Sequence, residues 1–213
     1  MFSFMKKSLL VTAVLAFSTS AIASDSSEYV ESIDYTIVSD VTTTSDTVVE
    51  YFSVYCPHCF AMERQGIPKL TEDLGADIEI VKAPVNFMGF IDKEKQNTMG
   101  KAFMAARNEG KADAFLKVAF PAYHMDKKDA PVDALAAALN VSVADATKLL
   151  ESAELEDAFK KEMEYQSMLL KKGLKGTPAF IVNGKYLVNL SELNSADPLG
   201  DLSSLIKHLN KLD

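Results

Sequence analysis

The hydrophobic and polar positions of this chain change period twice. Residues 35–38 and 48–54 carry the β-branched and aromatic residues of buried strands, and the polar stretch 40–47 between them is turn-prone. Phe60-Ala61-Met62-Glu63-Arg64-Gln65 contains good helix formers and no breaker, so the second strand runs into a helix. That helix is expected to bend or break near Gly66-Ile67-Pro68, because proline lacks an N–H and opposes helical geometry in the residue before it. After a helical remnant to Leu74, residues 78–85 predict a third strand. Strand, helix, strand implies a parallel crossover, and such crossovers are right-handed.

From about Met88 to Leu170 the strand signal disappears. Helical periodicity runs through residues 98–108, 112–120, 132–139, 143–150 and 155–170, with Asp133 and Ser142 as start signals and Gly110 as a stop. Gly176-Thr177-Pro178 then breaks the helix. Residues 179–182 and 185–188, joined by Asn183-Gly184, predict a hairpin with a primed turn. An amphipathic helix over 201–212 closes the chain, and no internal repeat or low-complexity tract is present. The expected organisation is therefore α/β. Residues 24–87 and 171–213 form one domain, an all-helical segment of residues 88–170 is inserted into it, and residues 1–23 precede it.

Those first residues read as a secretory signal peptide. Lys6 and Lys7 precede an apolar stretch over residues 9–17, and Ala21-Ile22-Ala23 is a small-residue cleavage site, so the mature chain is expected to start at Ser24. The apolar stretch is about half of the roughly 20 residues needed to span a bilayer, and no cysteine follows Ala23 to carry a lipid. Export places the mature protein in an oxidising compartment, where disulfides form and persist. Removing the leader leaves 20 basic and 30 acidic side chains, a charge of −10. Such an acidic chain is a poor partner for nucleic acid or an anionic membrane surface. The roughly 190 remaining residues suffice for one sizeable core or for one domain with an insertion, and 48% apolar residues is ordinary for a globular protein.

The chemistry is concentrated in Cys56-Pro57-His58-Cys59, which contains both cysteines of the chain. The motif lies where strand becomes helix. The unpaired N–H groups of the first turn and the positive end of the helix dipole then face the Cys56 sulfur and favour its thiolate. Each unit by which that pKa lies below ambient pH stabilises the reduced pair by about 1.4 kcal/mol, or about 30 mV, so a low value makes an oxidant. Cys56 is the attacking sulfur, and Cys59, three residues on and one turn deeper, is the resolving one. Pro57 suits an early helical turn, and the His58 ring supplies an N–H or a positive charge beside Cys56. A four-ligand zinc site would need a second ligand pair, and His124 and His208 stand alone, so no metal is expected. A merely structural bridge across so short a loop removes little unfolded-chain entropy.

The segments around these residues resemble the DsbA family of bacterial periplasmic disulfide oxidoreductases. The likeness is carried by residues 50–59, by residues 82–89 ending in Val85-Asn86-Phe87-Met88-Gly89, and by Gly176-Thr177-Pro178-Ala179-Phe180 with Val182-Asn183-Gly184-Lys185-Tyr186. It extends over essentially the whole mature chain, in order and at similar spacing. The resemblance implies a thioredoxin fold interrupted by a helical domain. It also implies a protein that donates its Cys56–Cys59 disulfide to reduced, unfolded exported proteins through a mixed disulfide, with no cofactor beyond that disulfide. By the same resemblance the re-oxidant is the membrane protein DsbB, the location is the periplasm, and the protein is a monomer.

Within the resemblance four further residues acquire roles. Glu50 lies on the strand face of Phe52 and Val54, where an unpaired charge is costly, and the family implies Lys82 as its partner beneath the active site. An exposed Glu50 with a solvated Lys82 is equally compatible with the sequence. Pro178 resembles the family's cis-proline opposite the disulfide, although trans is the default for an X-Pro bond. Thr177 would offer its backbone to an extended substrate segment. Threonine at this position departs from the valine usual in close DsbA relatives, and the chain also lacks tryptophan. Met88, Phe90, Met168 and Leu169 are suited either to a greasy substrate surface or to core packing. The alternatives to an oxidase are a disulfide reductase or isomerase, and a periplasmic copper metallochaperone using Cys56, Cys59 and His58.

Overall fold

A computed structural model describes residues 29–42 and 45–212, so the expected signal peptide over residues 1–23 lies outside the described residues. The chain order is β1 (Tyr35–Ile37), β2 (Thr47–Phe52), α1 (Pro57–Ala61), a π-helical turn (Met62–Gly66), α2 (Ile67–Leu74) and β3 (Glu79–Pro84). Five helices follow: α3 (Lys93–Asn108), α4 (Ala112–His124), α5 (Pro131–Leu139), α6 (Val143–Leu150) and α7 (Ala153–Lys171). The chain closes with β4 (Ala179–Val182), β5 (Tyr186–Val188) and α8 (Pro198–Asn210).

One mixed sheet of order β1-β5-β4-β2-β3 organises these elements. β2 and β3 are parallel, with Glu50 opposite Lys82, and β4 lies antiparallel on the other side of β2. This is a thioredoxin-type sheet with a helical insertion between β3 and β4. The period-2 rule sorts β2 between two cores. Val48 joins Phe180, Leu70 and Leu205 under α2 and α8, whereas Tyr51 joins Ile181, Ala83 and Leu169 on the other face. At the strand's end Phe52 enters a third cluster with Phe103, Phe115 and Phe120 from the insertion, and this cluster also contains Cys56 and Cys59. The active-site sulfurs therefore sit where sheet and insertion share one core.

Several expected boundaries need physical correction. The break at Gly66-Ile67-Pro68 is a single π turn, in which the Ile67 N–H reaches the Met62 carbonyl and Pro68 falls in the first turn of α2. The wider turn accommodates the proline without ending the helix. α3 begins at Lys93, five residues before the predicted start, capped by the Asp92 carboxylate on the N–H groups of Glu94 and Lys95. Its first turns are polar and carry little periodic signal. Buried Gln96 in those turns binds both backbone groups of Met88 and the carbonyl of Ile91, which anchors the loop after β3. Asp133 does not cap α5; Ala130 occupies that place without a side-chain bond, Pro131 follows it, and Asp133 lies within the first turn. Ser142 does cap α6 through the Asp145 N–H. α8 starts at Pro198, earlier than predicted, because Asp197 caps it.

The hairpin turn has positive φ at both central residues, 54° at Asn183 and 68° at Gly184, the geometry that Asn-Gly favours between two strands. In the insertion, Gly100 lets α3 and α7 approach closely. A Cβ there would stand 2.9 Å from Phe159 Cε2.

Candidate active site

The loop after β2 turns Cys56 into the N-cap of α1. Its backbone is extended, with φ −89° and ψ 118°, and Pro57 follows as the first helical residue with a fixed φ and no N–H to satisfy. The Cys56 N–H donates to Ser53 O at 3.0 Å, and the Phe60 N–H donates to Cys56 O at 3.1 Å. The cap side chain is therefore a sulfur in the place where serine or aspartate would offer oxygen. The Cys59 N–H points at that sulfur across 3.4 Å.

Both cysteines are buried and free. The Cys56 thiol is brought down from 9.0 to about 5, chiefly by a hydrogen bond from the Cys59 thiol, against the opposing effect of burial. The Thr177 side chain and the backbone N–H groups of Cys59 and His58 add to the lowering. Cys59 moves the other way: burial raises it first, and its bond to Cys56 raises it further. From the place of the motif in the sequence, the low value is expected to come from the helix terminus. The terminus contributes, but the neighbouring thiol contributes more, a difference that appears only once Cys59 is seen to face back toward the cap.

The remaining expected residues gather around this pair to different degrees. Pro57 and His58 are exposed, and what His58 brings to the sulfur is its backbone N–H. The Thr177–Pro178 peptide is cis, and the Thr177 carbonyl accepts from Cys56 Sγ at 3.3 Å. The Thr177 hydroxyl lies 3.6 Å from Met88 Sδ. Of the apolar residues beside the site, Phe90 is exposed but Leu169 is core, so Leu169 is not part of the site's surface. A cleft of about 540 Å³ runs past Thr177 and Pro178, bordered by Lys172, Lys175, Leu187 and Leu190.

Glu50 and Lys82 do meet. They are 1% and 8% exposed, and Lys82 Nζ is 2.6 Å from Glu50 Oε2, so the exposed alternative does not hold. A third member went unnoticed in the sequence. Glu63, in the π-helical turn, lies 2.8 Å from the same ammonium. Only its position seven residues after Cys56, about two turns along the helix, could have signalled it. Burial is the largest influence on Glu50 and holds its carboxyl above the ordinary range despite Lys82. Lys82 is held above its usual value because Glu50 and Glu63 together outweigh its burial. Two carboxylates thus share Lys82, and the charge of Cys56 is itself among the influences on Glu50.

Two links to the insertion were also missed. His124 Nε2 lies 2.8 Å from Val54 O, and the Tyr55 hydroxyl donates to Asp129 Oδ1 at 3.0 Å. Among the described residues no group of three His, Cys, Asp or Glu side chains is arranged to hold a metal ion. No described helix is long and apolar enough to cross a membrane.

Sheet order, helical insertion and a cysteine pair at a helix N-cap define a thioredoxin-fold protein built for dithiol chemistry. Residues 47–207 match the family described as DSBA-like thioredoxin domain. The chain belongs to that family. It is 30% identical over 193 residues to the thiol:disulfide interchange protein DsbA of Pseudomonas aeruginosa, covering 84% of this chain and 85% of that protein. It is 27% identical over 212 residues to the protein of the same name from Haemophilus influenzae, covering 96% and 98%. Among solved structures, Proteus mirabilis DsbA with a non-covalently bound peptide PWATCDS superposes with a TM-score of 0.70 at 18% identity, over 86% of this chain and 99% of that one.

Proposed function

We propose that this protein is a periplasmic thiol:disulfide oxidoreductase that donates the Cys56–Cys59 disulfide to newly exported proteins. The observation that carries the reading is the contrast between the two sulfurs: Cys56 is lowered to about 5 while Cys59 is raised. In the oxidised protein a substrate thiolate attacks Cys56 Sγ, the Cys56–Cys59 bond breaks, and Cys59 takes the bonding electrons and then a proton. The substrate's second thiolate attacks its own sulfur in the mixed disulfide, and Cys56 departs as a stabilised thiolate. Two electrons pass from the substrate dithiol to the protein, and the substrate gains the disulfide.

Glu50, Lys82 and Glu63 lie beneath this exchange, and we assign them the task of tuning its protons. The raised Glu50 carboxyl is suited to hold or release one as the charge on Cys56 appears. Pro57 and His58 set the helix tip. Thr177 and Pro178 border the cleft in which an extended substrate segment would lie, and the peptide bound to the Proteus mirabilis relative supports such a ligand class. The resting protein needs no external cofactor, acts as a monomer, and is re-oxidised by DsbB. The reductase, isomerase and copper-chaperone alternatives are less well supported, since both the family and the stabilised thiolate suit a disulfide donor.

The test mixes oxidised protein with a stoichiometric amount of a reduced, unfolded dithiol substrate. Rapid transfer of the disulfide is expected, and retention of the bond would refute the donor role. Fractionation followed by amino-terminal sequencing checks export and cleavage after Ala23.

A further inference from the structure

His124 ends α4 on the insertion, and the sequence offered no partner for it. In the fold it touches both flanks of the cysteine motif. Nε2 lies 2.8 Å from the carbonyl of Val54, two residues before Cys56. A carbonyl oxygen can only accept, so Nε2 carries the proton and donates. The same ring stacks on Phe60, one residue after Cys59, with centroids 5.0 Å apart and planes 9° from parallel. Phe60 in turn stacks on Phe120 at 5.5 Å, one turn earlier on α4.

We infer that His124 is a positioning residue for the thiol–disulfide chemistry, clamping the loop before Cys56 and the helix turn after Cys59 from a single site on the helical insertion. This rests on the oxidoreductase reading above and adds a residue that acts through the geometry of the cysteines without touching substrate.

The stability of the thiolate depends on an angle. The Cys56 sulfur hangs from the loop, whereas the N–H groups of His58 and Cys59 that stabilise its charge belong to the helix. Hydrogen bonds weaken steeply with misalignment, and the Cys59 N–H reaches the sulfur at 3.4 Å. Whatever fixes loop against helix therefore fixes how well the thiolate is stabilised. His124 holds one flank by a hydrogen bond and the other by a ring face. Tyr55 adds a second tie between loop and insertion: its hydroxyl donates to Asp129 Oδ1, and its ring meets Tyr123 edge-on at 4.8 Å. The loop just before Cys56 is thus held by the insertion at two consecutive residues.

The test compares purified His124→Ala, His124→Gln and His124→Phe with the unsubstituted protein and with His208→Ala, a control for loss of a histidine on α8. Each is titrated by thiolate absorbance, equilibrated with glutathione, and unfolded thermally. In His124→Ala the Cys56 midpoint is expected to rise by about one unit and the equilibrium constant for oxidising glutathione to fall about tenfold, one decade per unit. His124→Gln keeps a donor and should recover part of the shift; His208→Ala should show none. Folded His124→Ala and His124→Phe with the unsubstituted midpoint and equilibrium constant would overturn the proposal, even if both melt earlier, because loss of stability alone is what a merely structural histidine gives. Should His124→Ala not fold, the Gln and Phe variants decide by the same two readouts. Disulfide transfer by the unsubstituted protein is measured alongside, so a failure of the donor reading is distinguishable from a failure of the clamp.

Discussion

Cys59 stabilises the thiolate of Cys56 twice, through its backbone N–H at 3.4 Å and through its own thiol. The consequence falls on Cys59, whose proton is held more tightly as that of Cys56 is released. One sulfur becomes the good leaving group because the other remains protonated beside it.

Removing that thiol should therefore be visible in the titration of its neighbour. A hydrogen bond to a charged group contributes about 1.5–3 kcal/mol, or roughly one to two pKa units. Cys59→Ala is expected to raise the Cys56 midpoint by about that amount, and Cys59→Ser, which retains a donor, by less. Thiolate absorbance against pH measures both, and equal midpoints in the two variants would refute the thiol's contribution. In Cys59→Ser, attack of the Cys56 thiolate on a substrate that already carries a disulfide, with the substrate's other sulfur leaving as thiolate, should also give a mixed disulfide that accumulates, since the resolving sulfur is gone.

Stability of the reduced form should follow pH in a definite direction. Cys56 titrates at about 5 in the folded protein and near 9.0 in the absence of these contacts. A group whose pKa is depressed by folding contributes stability that is complete above its unfolded value and is lost as pH falls through the folded one. Between about pH 5 and pH 9 the reduced protein should therefore become steadily more stable relative to the oxidised one, in which neither thiol titrates. Urea midpoints of both forms across that range provide the check, and a constant difference would count against the lowered thiol.

Lys82 pairs with both Glu50 and Glu63. Lys82→Met leaves two carboxylates facing each other in a buried place, and breaking such a pair costs about 3–5 kcal/mol. Because burial already holds the Glu50 carboxyl high, the deficit should shrink as the solution is acidified and Glu50 takes its proton. Adding Glu50→Gln should recover much of the loss at neutral pH. Chemical denaturation of the single and the double variant tests this order. Glu50→Gln alone should change the pH dependence of thiol exchange across the Cys56 titration, and an unchanged rate profile would refute the proton-tuning role.

Thr177 offers the site two groups with different fates on substitution. Thr177→Val keeps the carbonyl that faces Cys56 at 3.3 Å but removes the hydroxyl, which helps lower the Cys56 thiol and lies near Met88 Sδ. The Cys56 midpoint should rise, by less than in Cys59→Ala, and the oxidising strength should fall correspondingly. A fall in the midpoint would show that the hydroxyl opposes the thiolate.

Much of the fold was legible because its signals are local. Periodicity located β2, the helices of the insertion and the Asn183-Gly184 hairpin, and the spacing of Cys56 and Cys59 placed both sulfurs on one side of a helix start. Local signals failed where polar residues carry structure. Asp92 and Asp197 start helices before any apolar stripe begins, and Gln96, which looks like a surface residue, is buried to hold a loop. The irregularity at Gly66-Ile67-Pro68 is expected as a bend or break, and only its form, a π turn through which the helix continues by widening, escaped the sequence.

The sequence by itself determined which atoms do the chemistry, since a cysteine pair at a strand-to-helix junction has its donors supplied by the helix's own first turn. It also put Glu50 on the strand face of Phe52 and Val54, but left open whether that charge is buried with Lys82 or exposed. Only the tertiary structure decided what surrounds them. Glu63 reaches Lys82, Thr177 faces Cys56, and His124 grips Val54 and Phe60 because the chain returns from 19 to 121 residues away in sequence; such pairings depend on how packed elements cross and leave no periodic trace along the chain. Side chains of unremarkable type thus acquired their partners from burial and packing, which a linear pattern does not encode.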